Sequence, residues 1–161
     1  MTSRILAVVG TLLVVTGLLV IVRADDGLVR ERGVVAGLPV TTLRPDAAGS
    51  RSAVVISHGF AASGRLMDGL AIALARDGWL AVVPDHAGHG ANHDSLGDAE
   101  LPDEVAALVD AVRAGEQTGG EAVQTVALLG HSMGAGATTR AADDLGTPVM
   151  ALSLPSADDL S

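Results

Sequence analysis

The 161-residue sequence contains no cysteine and no tyrosine, and its aromatic residues are one phenylalanine, Phe60, and one tryptophan, Trp79. Without cysteine, neither a disulfide framework nor a thiolate metal site can form. So few aromatic side chains give no sign of a stacking site for a sugar or a nucleobase. Six prolines among 48% hydrophobic residues indicate a folded domain rather than a disordered chain.

Positive charge is also scarce. Ten basic residues stand against 19 acidic ones, which gives a net charge of −9 and a pI near 4.7. A nucleic-acid-binding protein needs a basic surface that displaces counterions from phosphates. We therefore expect no nucleic-acid partner, and the acidic surface is explained by its contribution to solubility.

A long apolar run, residues 5–22, contains no charged residue. As a helix it would be about 27 Å long, close to the thickness of the hydrocarbon core of a bilayer. Three interpretations are open. A retained membrane anchor is favoured by the length of the run and by Arg4 and Arg23 on its two sides, and a signal peptide cleaved before Asp25 is the second. A buried core helix is the third, and the absence of a polar face disfavours it.

The run divides the chain into two predicted parts. Residues 1–24 are predicted to form an N-terminal transmembrane anchor or signal segment, and residues 25–161 are predicted to form one domain. The arginines near the run favour a cytoplasmic domain when they are counted alone. A short anchor with its N-terminus inside favours the opposite orientation. We expect a domain outside the cytoplasm, either anchored or secreted after cleavage.

The rest of the chain alternates apolar runs with helical patterns. Two short strands are predicted around Gly37, ending at Pro45. Continuous apolar runs predict four strands that are covered on both faces, at residues 53–57, 80–83, 125–129 and 148–154. Helices are predicted at 65–77, from Pro102 onward, and at 133–144. This order predicts an α/β fold with a mostly parallel sheet and helices on both faces, and ligands bind such sheets at the carboxyl ends of the strands.

The sequence Gly130-His131-Ser132-Met133-Gly134 fits the pattern G-x-S-x-G between a predicted strand and a predicted helix. Glycines two residues to either side of the serine allow the strand and the helix to approach closely. The serine hydroxyl then stands at a sharp turn, with the helix N-terminus directed at the reacting centre. We predict that Ser132 is a nucleophile. The alternative is that it merely caps the helix, a role that needs no flanking glycines.

A serine that attacks an acyl carbon also needs hydrogen-bond donors for the developing oxyanion. His58-Gly59-Phe60 follows the first central strand, where a loop can turn a backbone N–H toward the same edge of the sheet. The candidate donors are the N–H groups of Phe60 and Met133. An ordinary strand-to-loop turn is the alternative explanation of His58-Gly59.

Three segments together resemble the α/β-hydrolase family, and more narrowly its bacterial esterase, lipase and serine-aminopeptidase-like branch. VVISHGF resembles the oxyanion strand and loop, VVPDHAGHG resembles the D-x-x-G-H-G segment, and ALLGHSMGAG resembles the nucleophile elbow. The resemblance covers residues 34–154. It implies a hydrolase of esters, lactones, thioesters or amides that forms an acyl-enzyme on Ser132, with Phe60 and Met133 as the oxyanion hole. It also implies that His58 holds the oxyanion loop.

The sequence departs from the family in one respect. The family's triad runs in the order serine, acid, histidine, whereas every histidine here precedes Ser132: His58, His86, His89, His93 and His131. We expect that the chain lacks the C-terminal part of the fold, although Asp158 and Asp159 are possible acids. General base catalysis contributes about 10²–10⁴ in rate, so we expect weak or no turnover.

Two further interpretations concern the same residues. The alternative function is a non-catalytic binding module, or the soluble face of a larger membrane protein. His86 and His89 are alternative bases, whereas His131 adjoins the serine and should leave the turn in another direction.

The group Asp85, His86, His89, His93 and Asp94 resembles no structural zinc pattern, so we expect no metal and no cofactor. The expected partners are a small acyl substrate and a membrane.

Overall fold

The computed structural model describes residues 2–46, 50, 52–96, 101–116 and 123–153. The helices are α1 (Thr2–Val22), α2 (Asp68–Arg76), α3 (Leu101–Arg113) and α4 (Met133–Leu145), and a 3-10 turn at Gly64–Met67 precedes α2. The strands are β1 (Leu28–Val35), β2 (Leu38–Pro45), β3 (Ser52–Ser57), β4 (Leu80–Pro84), β5 (Thr125–His131) and β6 (Val149–Leu152). The possible acids Asp158 and Asp159 lie outside the described residues.

The six strands form one sheet in the order β1-β2-β4-β3-β5-β6. The last four strands in this order are parallel, whereas β2 runs antiparallel to both β1 and β4. The predicted mostly parallel sheet is therefore confirmed. Ala36 and Gly37 connect β1 to β2 with φ angles of 50° and 83°, which is the pattern of the two-residue turn that matches the twist of a hairpin.

Helices cover both faces of this sheet, as predicted. Alternate residues of β3 point to opposite faces, so Val55 packs with α3 and α4 while Val54 packs with α2. On the first face α3 contributes large side chains such as Leu108, and on the other α2 buries Ala71 and Ala75. The small residues of α2 let the helix lie close to the sheet. The two layers leave the central strands fully covered.

The apolar helix α1 stands apart from this core. The segment Arg4–Val22 is long and apolar enough to cross a membrane, and none of it is buried. The interpretation as a buried core helix is therefore wrong. A membrane anchor and a signal sequence share this length and composition, so the helix is consistent with both.

Candidate active site

Ser132 lies in the sharp turn between β5 and α4, with φ 53° and ψ −118°. A left-handed backbone at a residue other than glycine costs on the order of 1–3 kcal/mol, so the surrounding structure has to hold it. The N–H of Ser132 donates to the carbonyl of Leu152 in β6 at 2.9 Å. Its carbonyl accepts from the N–H groups of Ala135 and Gly136 at 2.9 and 3.1 Å. Strand β6 and the first turn of α4 thus fix both peptide groups of the serine.

The two flanking glycines leave no space for a side chain. A Cβ on Gly134 would lie 2.5 Å from the carbonyl oxygens of Ser57 and His58. A Cβ on Gly130 would collide with the Gly134 carbonyl and with the first turn of α4. The glycines therefore allow β3, β5 and α4 to meet at one point, and Ser132 lies at that point.

The Ser132 side chain is half-buried and makes no capping hydrogen bond with α4. The interpretation of Ser132 as a simple helix cap is therefore wrong. Helix α4 begins directly after the serine, and the N-terminus of a helix favours negative charge nearby.

The loop after β3 packs directly against this turn. A Cβ on Gly59 would lie 3.2 Å from the Cβ of Ser132 and 2.9 Å from Nδ1 of His131. Among the described residues, the N–H groups of Phe60 and Met133 have no hydrogen-bond acceptor. The fold thus brings the predicted nucleophile and the loop of the predicted oxyanion donor to the same edge of the sheet. Phe60 is 68% exposed.

His58 is fully buried at the end of β3 and is hydrogen bonded through both ring nitrogens. Its Nε2 accepts the N–H of His86 at 3.2 Å, so Nδ1 carries the proton and donates it to the Gly59 carbonyl at 2.8 Å. Burial lowers the pKa of His58, and the bond to Gly59 opposes this shift only in part. The imidazole is therefore neutral, and it ties the loop after β3 to the loop after β4.

His89 holds the same loop from the other side of Phe60. Its Nε2 accepts the N–H of Ala61 at 3.1 Å, and its Nδ1–H donates to the Ala87 carbonyl at 2.8 Å. The rings of Phe60 and His89 are nearly perpendicular, with centroids 5.7 Å apart. Both nitrogens of this histidine are therefore engaged with the backbone.

His86 pairs with an acid that the sequence patterns did not reveal. Its Nδ1 lies 2.7 Å from Oε2 of Glu104 in the first turn of α3, and its buried Nε2 has no partner among the described residues. An acidic residue in the first turn of a helix is explained by the helix dipole alone. For this reason Glu104 carried no separate signal in the sequence.

Three other polar residues lie in or near these loops: Asp85, His93 and His131. The carboxylate of Asp85 accepts the N–H groups of Gly64 at 2.7 Å and Ala91 at 2.8 Å, so it braces two loops. His93 is exposed, and Nδ1 of His131 is buried without a partner in the described part of the chain. Within the described residues no histidine is hydrogen bonded to Ser132, and no group of three or more histidine, aspartate or glutamate side chains could hold a metal ion.

Residues 48–157 match the family described as serine aminopeptidase, S33. No curated protein sequence shows a significant match. The match covers the sheet from β3 onward and includes the elbow and both loops described above.

Solved structures resemble the chain over most of its length. TT1662 from Thermus thermophilus is 21% identical with a TM-score of 0.60, and the alignment covers 77% of this chain and 56% of that one. Epoxide hydrolase A from Mycobacterium thermoresistibile is 21% identical with a TM-score of 0.57, over 80% of this chain and 40% of that one. The thioesterase domain of the curacin biosynthetic pathway is 24% identical with a TM-score of 0.56, over 81% and 47%. The chain thus spans about half the length of these structures, and their likeness establishes the fold.

Proposed function

The chain belongs to the S33 serine aminopeptidase family of α/β-hydrolases, and on this premise we propose that it is a serine hydrolase. The proposed substrate is a carboxylic ester, lactone, thioester or amide. Ser132 is the nucleophile, and the N–H groups of Phe60 and Met133 form the oxyanion hole. His58, Gly59, Gly130, His131 and Gly134 support this constellation.

The observation that carries the proposal is the strained elbow at Ser132. The left-handed backbone of this serine is held at the meeting point of two strands and a helix, and its hydroxyl does not cap α4. Among the residues that the structure describes, the N–H groups of Phe60 and Met133 have no acceptor, and the loop that carries Phe60 packs against Ser132. A hydroxyl beside unused donors is the arrangement that stabilises a tetrahedral oxyanion.

The proposed reaction has two halves. Ser132 Oγ attacks the acyl carbon, and the resulting oxyanion accepts hydrogen bonds from Phe60 and Met133. The carbon–leaving-group bond then breaks, the leaving group departs with a proton, and an acyl-enzyme remains. Water hydrolyses this ester and returns the hydroxyl to Ser132.

The rate depends on how the serine proton is removed. The described imidazoles make no hydrogen bond to Ser132, and His58 and His89 use both of their ring nitrogens elsewhere. A missing general base lowers the rate by about 10²–10⁴. We therefore expect slow acylation and weak turnover from this chain by itself.

We also propose that residues 5–22 anchor the protein in a membrane, with residues 25–161 as a domain outside the cytoplasm. The uniform exposure of the apolar side chains of α1 supports an apolar environment for this helix. A secreted domain released by cleavage before Asp25 is the alternative.

A fluorophosphonate probe tests the nucleophile, because it phosphonylates an activated serine and leaves a stable adduct. After a long incubation we expect one adduct per chain, located at Ser132 by peptide mass spectrometry. Ser132→Ala should carry no adduct. The matched control is Ser153→Ala, which removes an exposed serine that also has a positive φ, 51°, and follows β6 at the same edge of the sheet.

An adduct elsewhere, or none on a chain whose circular dichroism shows it to be folded, would contradict the proposed nucleophile. A folded chain without an adduct would instead favour the non-catalytic binding module.

A further inference from the structure

Two histidines are hydrogen bonded to the backbone on either side of Phe60. The Nδ1–H of His58 donates to the Gly59 carbonyl, one residue before Phe60. His89 accepts the N–H of Ala61, one residue after it. Ala61 has a φ of 56°, a conformation that needs support at a residue other than glycine. The Phe60 N–H belongs to the peptide whose Gly59 carbonyl His58 holds, and His89 holds the next peptide, so the backbone is fixed on both sides of Phe60.

The bond from Ala61 determines the protonation state of His89. A backbone N–H can donate only to a nitrogen with a free lone pair, so Nε2 of His89 carries no proton. Its Nδ1 faces the Ala87 carbonyl at 2.8 Å and therefore carries one. A doubly protonated imidazole would point a second N–H at the Ala61 N–H, and the hydrogen bond would be lost. The observed loop conformation requires neutral His89.

We propose that His89 is a positioning residue of the oxyanion hole: its Nε2 holds the Ala61 peptide, and loss of this acceptor releases the loop and misdirects the Phe60 N–H. The inference rests on the proposed function, because it assigns His89 a role in the oxyanion hole of Ser132. His89 does not touch the reacting atoms, and its effect passes through the backbone of residues 60 and 61.

His58 faces His89 from the loop after β3, with ring centroids 5.1 Å apart. The two imidazoles bind different peptides, because His58 holds the Gly59 carbonyl and His89 holds the Ala61 N–H. Loss of the bond to His89 would therefore leave the Gly59 carbonyl held and release the Ala61 peptide.

The test compares rates of fluorophosphonate labelling at pH 7.5 for the full chain and two variants. In His89→Gln, the amide oxygen can accept the Ala61 N–H. In His89→Leu, the side chain has a similar volume and no acceptor. Loss of one oxyanion donor typically costs about 10²–10³ in rate. We expect His89→Leu to label at least roughly tenfold more slowly, and His89→Gln to label at nearly the wild-type rate.

Rescue by His89→Gln separates positioning from general structural support, because the glutamine variant keeps a hydrogen-bond acceptor and the leucine variant does not. His93→Gln, which removes an exposed histidine of the same loop, should keep the wild-type rate. Equal rates for the Gln and Leu variants would overturn the inference.

A second readout keeps the inference distinct from the proposed function. Hydrogen exchange of the Ala61 amide reports the hydrogen bond to His89 whether or not Ser132 reacts. Slow exchange in the wild type and His89→Gln, with fast exchange in His89→Leu, would support the hold on the loop even if no variant were labelled. In that case the assignment of Ser132 as the nucleophile would be wrong. Equal exchange in all three proteins would overturn the role of His89.

Discussion

The strained turn at Ser132 fits against its surroundings because the residues two positions away on either side, Gly130 and Gly134, have no side chains. The carbonyls of Ser57 and His58 occupy the space where a Cβ of Gly134 would be, and the first turn of α4 occupies the equivalent space at Gly130. The glycine pattern alone predicted this turn, because the two glycines that let the strand and the helix approach closely lie within two residues of Ser132. The hydrogen bonds of His89 could not be predicted in this way, because Ala61 lies 28 residues away.

Gly134→Ala tests the close approach at the residue scale. The new methyl group would force β3 and α4 apart, and we expect the free energy of unfolding to fall by about 1–3 kcal/mol, as is typical of overpacking. Labelling of Ser132 should also slow. Urea unfolding followed by circular dichroism measures the first effect.

The control for this substitution is Gly69→Ala in α2, where no atom lies within 4 Å of the added Cβ. It should leave stability unchanged or raise it by up to about 1 kcal/mol. A similar loss of unfolding free energy in both variants would contradict the stabilising role of the close packing at Gly134.

At the scale of elements, the β1–β2 hairpin extends the parallel sheet and is tied to the helix behind it. Arg30 of β1 forms a two-bond ion pair with Asp25 at 2.7 and 3.0 Å, and a further bond of 3.0 Å reaches Asp68 at the start of α2. The bond from Arg30 lowers the pKa of Asp25, and the two carboxylates raise the pKa of Arg30. The sequence predicted two strands around Gly37, but it did not predict that β2 pairs with β4.

Arg30→Gln should loosen the hairpin from α2. The pairs are partly exposed, so the expected loss lies between that of surface ion pairs and that of charged hydrogen bonds, at about 1–2 kcal/mol of unfolding free energy. Arg32→Gln, which removes an exposed arginine of the same strand, should change stability by less than about 0.5 kcal/mol. Urea unfolding at low and high salt measures both variants. An unchanged stability in Arg30→Gln would refute the stabilising role of these bonds.

At the scale of the whole molecule, an apolar helix without buried residues precedes a domain with two core layers. Apolar surface of this extent is costly in water, which favours a lipid environment for α1. The composition of residues 5–22 predicted this helix, and the structure excludes a core position for it. The orientation of the domain relative to the membrane stays a prediction.

Membrane fractionation of the full chain tests the anchor. We expect the protein to stay in the pellet after an alkaline carbonate wash, with an intact N-terminus by mass spectrometry. Arginines at Leu12 and Leu13 should move it to the supernatant, since each charge at a helix centre costs about 2.5–3.5 kcal/mol on insertion. Leu66→Arg, at an exposed leucine outside α1, should not. A soluble chain that begins at Asp25 would contradict the anchor and support a cleaved signal peptide.

The sequence by itself determined the order of strands and helices, the apolar N-terminal helix and the elbow at Ser132. These features depend on periodicity, run length and glycines within a few residues of one another, and such patterns are local. Tertiary structure decided the sheet order, the hydrogen bonds of His58 and His89, and the pairing of His86 with Glu104, 18 residues away. These depend on which groups the crossover connections bring into contact, and a hydrogen-bond partner across two loops leaves no periodic signal in the chain.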